Sequence, residues 1–179
     1  KPAERAAGMK ESIQEIMHRV GFEVAEGQKA AMVGPLGSGK TSIFMALLGE
    51  ARVTSGELSV SGSIAYVPQE PWIKSGTIRD NILFGKPYDP ERYRRTVFAC
   101  ALEPDFAMLP EGDMTVLAER GINLSGGQRQ RICLARAVYS DADTILLDNP
   151  LSAVDWHTSE HIMKHCIRGM LANKTVIMA

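Results

Sequence analysis

The stretch Gly34-Pro-Leu-Gly-Ser-Gly-Lys40-Thr41 constrains this chain more than any other feature. It satisfies the pattern of a glycine, four residues of any kind, then Gly-Lys-Ser/Thr. The apolar run Ala30-Ala-Met-Val33 precedes it and reads as part of a buried strand over 28–33, and Thr41–Leu48 follows as a helix that Gly49 can terminate. Strand, glycine loop and helix in that order cradle phosphate, because glycines let main-chain N–H groups converge and the helix adds its positive N-terminus. The candidate contacts are Gly34, Pro35, Leu36, Gly37, Ser38, Gly39, Lys40, Thr41 and Ser42. Lys40 is placed to reach β- and γ-phosphates, and the Thr41 hydroxyl suits Mg²⁺, a hard ion that takes oxygen ligands.

The rest of the chain alternates in the same style. Glu57–Val60 and Ser63–Val67 are β-branched runs separated by Ser61-Gly62, which predicts a hairpin or adjacent strands, the second ended by Pro68. Pro71, Pro87, Pro90, Pro104 and Pro110 then divide the chain into short pieces, so helices there must be brief. Asp89-Pro90-Glu91 is a helix start, with Tyr93, Val97, Cys100 and Ala101 as its apolar stripe. A small helical subdomain over about 75–138 follows from this. Its last helix starts at Ser125, within Leu124-Ser125-Gly126-Gly127-Gln128, a second glycine-rich element, and runs through Arg136 to Val138. Thr144-Ile-Leu-Leu-Asp148 is a short apolar strand that places a carboxylate at its end, the position of a second magnesium-site acid beside a phosphate loop. An amphipathic helix carrying Ile162, Met163, Cys166, Ile167 and Met170 leads to the strand Thr175–Met178. The fold class is α/β, a phosphate-loop core with a parallel or mixed sheet flanked by helices.

Length and charge narrow the function classes. At 179 residues the chain suits one domain, since single cores grow to about 250 residues before splitting. Lys+Arg 20 against Asp+Glu 21, with no long run of either sign, argues against nucleic acid and against a charged membrane surface. No apolar stretch approaches the ~18 residues that span a bilayer, and residues 1–10 lack the apolar core of a signal peptide. Cys100, Cys133 and Cys166 form no Cys-x-x-Cys pair and read as small buried hydrophobes.

The order of Gly34–Thr41, Tyr66-Val-Pro-Gln69, Glu119-Arg-Gly121, Leu124–Gln128, Asp148 and Leu151-Ser-Ala-Val-Asp155 resembles that of ATP-binding-cassette nucleotide-binding domains, over about residues 20–179. Glu119-Arg-Gly121 is similar to the exporter version. The short spacing from Glu57 to Ser63, with Gly76-Thr-Ile-Arg-Asp-Asn-Ile82, resembles the first such domain of class C, the multidrug-resistance-associated exporters. The resemblance implies one domain over 1–179, cut from a longer transporter, whose partners are a second cassette and membrane domains, at the cytoplasmic face of a membrane. Two cassettes pair head to tail in that family. It therefore implies that the phosphate loop binds ATP, with Mg²⁺ at Thr41, Gln69 and Asp148. Leu124, Ser125, Gly126, Gly127 and Gln128 would meet a nucleotide held by the partner, Gln69 would also link to the membrane domain, and Asp155 would cross the interface.

One departure from that pattern bears on catalysis. Asn149 stands where a hydrolysing cassette places glutamate, and a neutral amide cannot take the proton of the attacking water. General acid–base help contributes about 10²- to 10⁴-fold, so a site built on this phosphate loop is expected to hold ATP longer than it cleaves it. The family's switch histidine would follow Ala179, and the aromatic that stacks on adenine would lie upstream, where Lys1–Val20 has none. That opening reads locally as helix, with Ser12 and Glu15 as a capping box and Ile13, Ile16, Met17 and Val20 as its apolar face, although the family implies strands.

Three further readings stay open on the residues. Asn149 suits a regulatory nucleotide-binding module that does not hydrolyse. His157-Thr-Ser-Glu160-His161, with His165 a turn further on, matches a zinc-protease pattern. A soluble cassette protein would share the phosphate loop and the second glycine element.

Overall fold

The computed structural model describes residues 16–117 and 123–179. The Glu119-Arg-Gly121 element and the Ser12, Ile13 and Glu15 part of the expected opening helix lie outside the described residues. Numbered along the chain, the strands are β1 (Lys29–Ala31), β2 (Ile64–Val67), β3 (Gly76–Thr77), β4 (Val116–Leu117), β5 (Thr144–Leu147) and β6 (Thr175–Met178). The helices are α1 (Lys40–Leu47), α2 (Ile78–Leu83), α3 (Pro90–Ala99), α4 (Glu103–Met108), α5 (Gly126–Tyr139) and α6 (Trp156–His161).

Four strands build one parallel sheet in the order β1-β6-β5-β2, and β3 and β4 pair antiparallel as a separate ribbon. All four residues of β5 are buried, as expected of a central parallel strand covered on both faces. The pleat deals its side chains alternately to two cores. Ile145 and Leu147 join the larger cluster with α5, whereas Leu146 meets Phe44 of α1 and Ile177 on the opposite face.

Local chemistry explains the helix starts. Asp89 caps α3 by accepting from the Glu91 and Arg92 N–H groups, each at 3.0 Å, and Pro90 supplies the first helical position. Tyr139, at the end of α5, accepts from the Asp89 N–H at 2.8 Å and donates to the Pro87 carbonyl at 2.6 Å, tying α3 to α5. Tyr93, Val97 and Cys100 are buried as the stripe requires, and all three cysteines lie in the interior as free thiols.

The structure corrects four expectations. Residues 57–60 form no strand, and only Ile64–Val67 joins the sheet, because β5 offers a parallel partner there whose register runs Ile64 to Thr144. The run Ala30–Val33 is not a buried strand. Among the described residues β1 is an edge strand covered on one face: Ala30 and Met32 are half-buried on the α1 side, whereas Lys29, Ala31 and Val33 point to the opposite face and are exposed, Val33 at 96%. Residues 16–20 are neither helix nor strand: Met17 turns onto Gly39, whereas Ile16 and Val20 are exposed, so the apolar residues do not share one buried face. The last amphipathic segment changes winding. After α6 the chain continues over Ile162–Met170 as a π-helix, closed by Leu171 N–H donating to the Cys166 carbonyl at 2.9 Å, and so brings Ile162, Cys166 and Ile167 into the core.

One buried polar hub fastens the helical subdomain to the segment after β2. Asn81 is 1% exposed; its amide donates to the Lys74 and Thr77 carbonyls, and its oxygen accepts from the Lys74 N–H. Arg136 donates to the Asn81 carbonyl and Oδ1 and to the Trp72 carbonyl, and its guanidinium lies over both the Trp72 and Phe84 rings. Burial pulls this guanidinium's pKa below its usual value, so its partners matter. Asn81→Ala is expected to lower the free energy of unfolding by about 3 kcal/mol, because it leaves buried donors unmet. A urea titration would show this as a lower midpoint with an unchanged slope.

Candidate functional site

The parallel topology carries the carboxyl ends of β1, β2, β5 and β6 to one edge of the sheet, where open α/β sheets place their ligands. β1 leads into the glycine loop. Gly37 and Gly39 adopt φ of 79° and 88°, a region costly for any residue with a Cβ, and a Cβ on Gly34 would stand 2.7 Å from Ser38 Oγ. The Ser38 N–H closes the turn onto the Pro35 carbonyl at 3.2 Å. Helix α1 then starts at Lys40 with Gly39 as its N-cap and no side chain capping it. Among the described residues no side chain accepts from the N–H groups of its first turn, which leaves a partial positive charge facing the loop.

Lys40 folds back over this loop, its ammonium donating to the Gly34 carbonyl at 2.8 Å and the Pro35 carbonyl at 3.0 Å. Ser42 sits half-buried in the first turn of α1, and Pro35 and Leu36 lie exposed on the loop. Met17 packs against Gly39, with its sulfur 3.1 Å from where a Cβ would project. Helical spacing puts Met17 on an apolar face of the opening segment, and nothing in that spacing directs it to the glycine loop.

Asp148 stands at the end of β5 and is 3% exposed. Its Oδ2 accepts from the Thr41 hydroxyl at 2.7 Å and from the Tyr66 hydroxyl at 3.3 Å. Burial first, and then the Asp148 carboxylate, push the Tyr66 phenol up to about 12, so it remains a neutral donor at physiological pH. Thr41 and Asp148, expected from sequence to share a metal, thus meet directly. Their hydroxyl and carboxylate oxygens are the donor chemistry that Mg²⁺ accepts. Gln69 is exposed, two residues beyond the end of β2 at the same edge of the sheet.

Asn149 has φ 50°, a left-handed conformation that asparagine tolerates better than most residues. Its N–H donates to the Ala179 carbonyl at 3.1 Å, and its carbonyl accepts from the Ser152 hydroxyl at 3.1 Å. The peptide is held on both sides while the side chain is exposed.

The second glycine element forms the start of α5. Ser125 is its N-cap in a reciprocal capping box: Ser125 Oγ accepts from the Gln128 N–H at 3.1 Å, and the Ser125 N–H donates to Gln128 Oε1 at 2.8 Å. Leu124 is buried beneath it, whereas Ser125 and Gly126 are exposed. Gly127 lies against the loop after Asn149, and a Cβ there would stand 2.6 Å from the Ala153 carbonyl oxygen. Asp155, at the end of that loop, caps α6 through the Thr158 N–H at 3.1 Å, and hydrogen bonds from Thr158 hold its pKa below the usual carboxylate value.

The histidines do not build a zinc centre. Among the described residues no three His, Cys, Asp or Glu side chains are grouped to hold a metal. His161 is engaged elsewhere, with Nε2 2.7 Å from the Phe98 carbonyl, and the His161 and His165 rings pack on Phe98.

With this geometry in place, the family is clear. The family described as ABC transporter matches residues 17–152, and the chain belongs to it: this is an ATP-binding cassette. Within that family its relatives are of class C. The chain is 54% identical over 164 residues to ATP-binding cassette sub-family C member 3 of Homo sapiens, an alignment covering 90% of the chain and 11% of that protein. It is 53% identical over 167 residues to ABC transporter C family member 9 of Arabidopsis thaliana, covering 93% of the chain and 11% of that protein. With ABC transporter C family member 3 of Dictyostelium discoideum it shares 49% over 163 residues, covering 91% of the chain and 12% of that protein. The chain thus spans about a tenth of the length of these relatives. Among the described residues no helix is long and apolar enough to cross a membrane.

The contact between Gly127 and Ala153 generates a prediction. Gly127→Ala forces the start of α5 away from residues 151–155 and is expected to cost about 1–3 kcal/mol, the range for overpacking a close contact. Thermal unfolding would register the loss, and amide shifts confined to 125–129 and 151–155 would locate it.

Proposed function

We propose that this cassette binds MgATP at its phosphate loop and pairs head to tail with a second cassette to drive export by a class C transporter. The observation that carries the reading is the Thr41–Asp148 hydrogen bond of 2.7 Å beside the uncapped start of α1. Main-chain N–H groups of Gly37 to Ser42 and the Lys40 ammonium would take the phosphates once Lys40 leaves the Gly34 and Pro35 carbonyls. Thr41, Asp148 and Gln69 would hold Mg²⁺, which when bound offsets phosphate charge and orients the β- and γ-oxygens. Gln69 would also carry the state of the site to the membrane domains, and Asp155 would lie at the cassette interface.

In this reading the two glycine elements serve different nucleotides. Gly34–Thr41 grips this chain's own ATP, and Leu124–Gln128 completes the site on the partner's phosphate loop. The chain's own site retains ATP without cleaving it quickly. Asn149 offers no general base, and its left-handed backbone suits asparagine better than glutamate. A purely regulatory, non-hydrolysing module is the second reading, favoured by the same residue.

In the paired protein, Asn149→Glu is expected to raise single-turnover hydrolysis at this chain's site by about 10²-fold or more, the lower bound for a positioned general base. Its stability should fall by about 1–2 kcal/mol, because a residue other than glycine, asparagine or aspartate is strained at that φ. Lys40→Ala should abolish nucleotide retention at the same site in filter-binding assays. Fast steady hydrolysis by the unaltered site would overturn the retention reading.

A further inference from the structure

Asp105 lies outside the phosphate loop and outside Leu124–Gln128, yet it holds two side chains of the first turns of α5. Its Oδ1 accepts from Gln128 Nε2 at 3.0 Å, and Arg131 donates to Oδ2 at 2.5 Å and to Oδ1 at 3.3 Å. Arg131 also donates to the Gly127 carbonyl at 3.3 Å and to the Ala101 carbonyl. The Arg131 and Asp105 side chains are only 14% and 15% exposed, so the pair is largely shielded from water.

Donor and acceptor inventories give this cluster a direction. A carboxylate accepts hydrogen bonds and donates none. Asp105 therefore requires the NH₂ end of the Gln128 amide to face it, which turns the Oε1 end toward the Ser125 N–H, where it is found at 2.8 Å. The Gln128 N–H in turn occupies a lone pair of Ser125 Oγ at 3.1 Å. A hydroxyl has one proton to donate, and with its oxygen accepting from the helix that proton is directed to an acceptor outside it. Arg131 neutralises Asp105, so the carboxylate does not set a bare negative charge behind an anion site.

We propose that Asp105 is a positioning residue for the nucleotide met by Ser125: by orienting the Gln128 amide it fastens the Ser125 N–H, and so holds Ser125 where its hydroxyl faces a phosphate. This rests on the reading that Leu124–Gln128 completes the partner's ATP site. Asp105 touches no nucleotide. Its action passes through Gln128.

The test is a swap of donor and acceptor in the complete paired protein, read as KM and kcat for ATP at the partner's phosphate loop. Gln128→Glu keeps an acceptor for the Ser125 N–H but sets a carboxylate against Asp105. It is expected to raise KM by about tenfold, the scale of one charge-assisted hydrogen bond. Adding Asp105→Asn returns an amide donor at that point and is expected to recover most of the loss. Urea midpoints of the same variants separate positioning from stability, because a structural role alone would move the midpoint and KM together. The proposal is overturned if the double variant is as impaired as Gln128→Glu, or if KM follows the midpoint. Ser125→Ala distinguishes the two levels. If it leaves the partner's site unchanged, the reading of Leu124–Gln128 fails and this proposal with it. If it impairs that site while Gln128→Glu does not, only the role of Asp105 fails.

Discussion

The structure depends on β5 lying in parallel register between β2 and β6. A strand hydrogen-bonded on both edges and covered on both faces has no freedom to slide, because a shift of one residue would exchange Leu146 with Ile145 and Leu147 between two different cores. That fixes Asp148 at the end of the strand. The carboxylate can then receive the Thr41 hydroxyl from α1 and the Tyr66 hydroxyl from β2, elements far apart in the chain. Burial of the acid and its two donors are consequences of one ladder.

The same strand also joins the two glycine elements. The chain leaving β5 turns through Asn149 in a left-handed conformation and passes close enough to α5 that only glycine fits at 127. A shift of the loop after Asp148 is therefore felt at the start of α5 by direct steric contact. The cluster of Asp105, Gln128 and Arg131 ties the start of α5 to α4. Neighbours of both kinds hold the Ser125 cap, and neither contains a residue of the phosphate loop.

Much of this is legible in the residues alone. The glycine loop, the carboxylate closing an apolar strand, the Asp89-Pro90 helix start and the strand at Thr175–Met178 all appear where local rules put them. Each is a short-range device, a cap, a turn or an apolar run, whose outcome depends on neighbours a few residues away. The failures share a different cause. Glu57–Val60 and Ser63–Val67 have similar strand character, but only the second finds a partner edge on β5. Ala30–Val33 looks like an interior strand, but only the face carrying Ala30 and Met32 meets α1, and Val33 on the other face is left in solvent. The π-helical winding of Ile162–Met170 answers to the surface it packs on, which no spacing of its own residues reveals.

By itself the sequence determined the family and the order of its elements, because the patterns that mark it are written in consecutive residues: glycines for the loop, a lysine, a hydroxyl, a capping box. The role proposed for Asn149 is of the same local kind, since an amide cannot take a proton from water wherever the residue lies. Only the tertiary structure decided which distant groups share an atom. It set Thr41 and Tyr66 on one oxygen of Asp148, Gly127 against Ala153, and Asp105 behind Gln128. Contacts of that kind depend on strand order and helix packing, which arise from burial summed over the whole chain and leave no mark in any one segment.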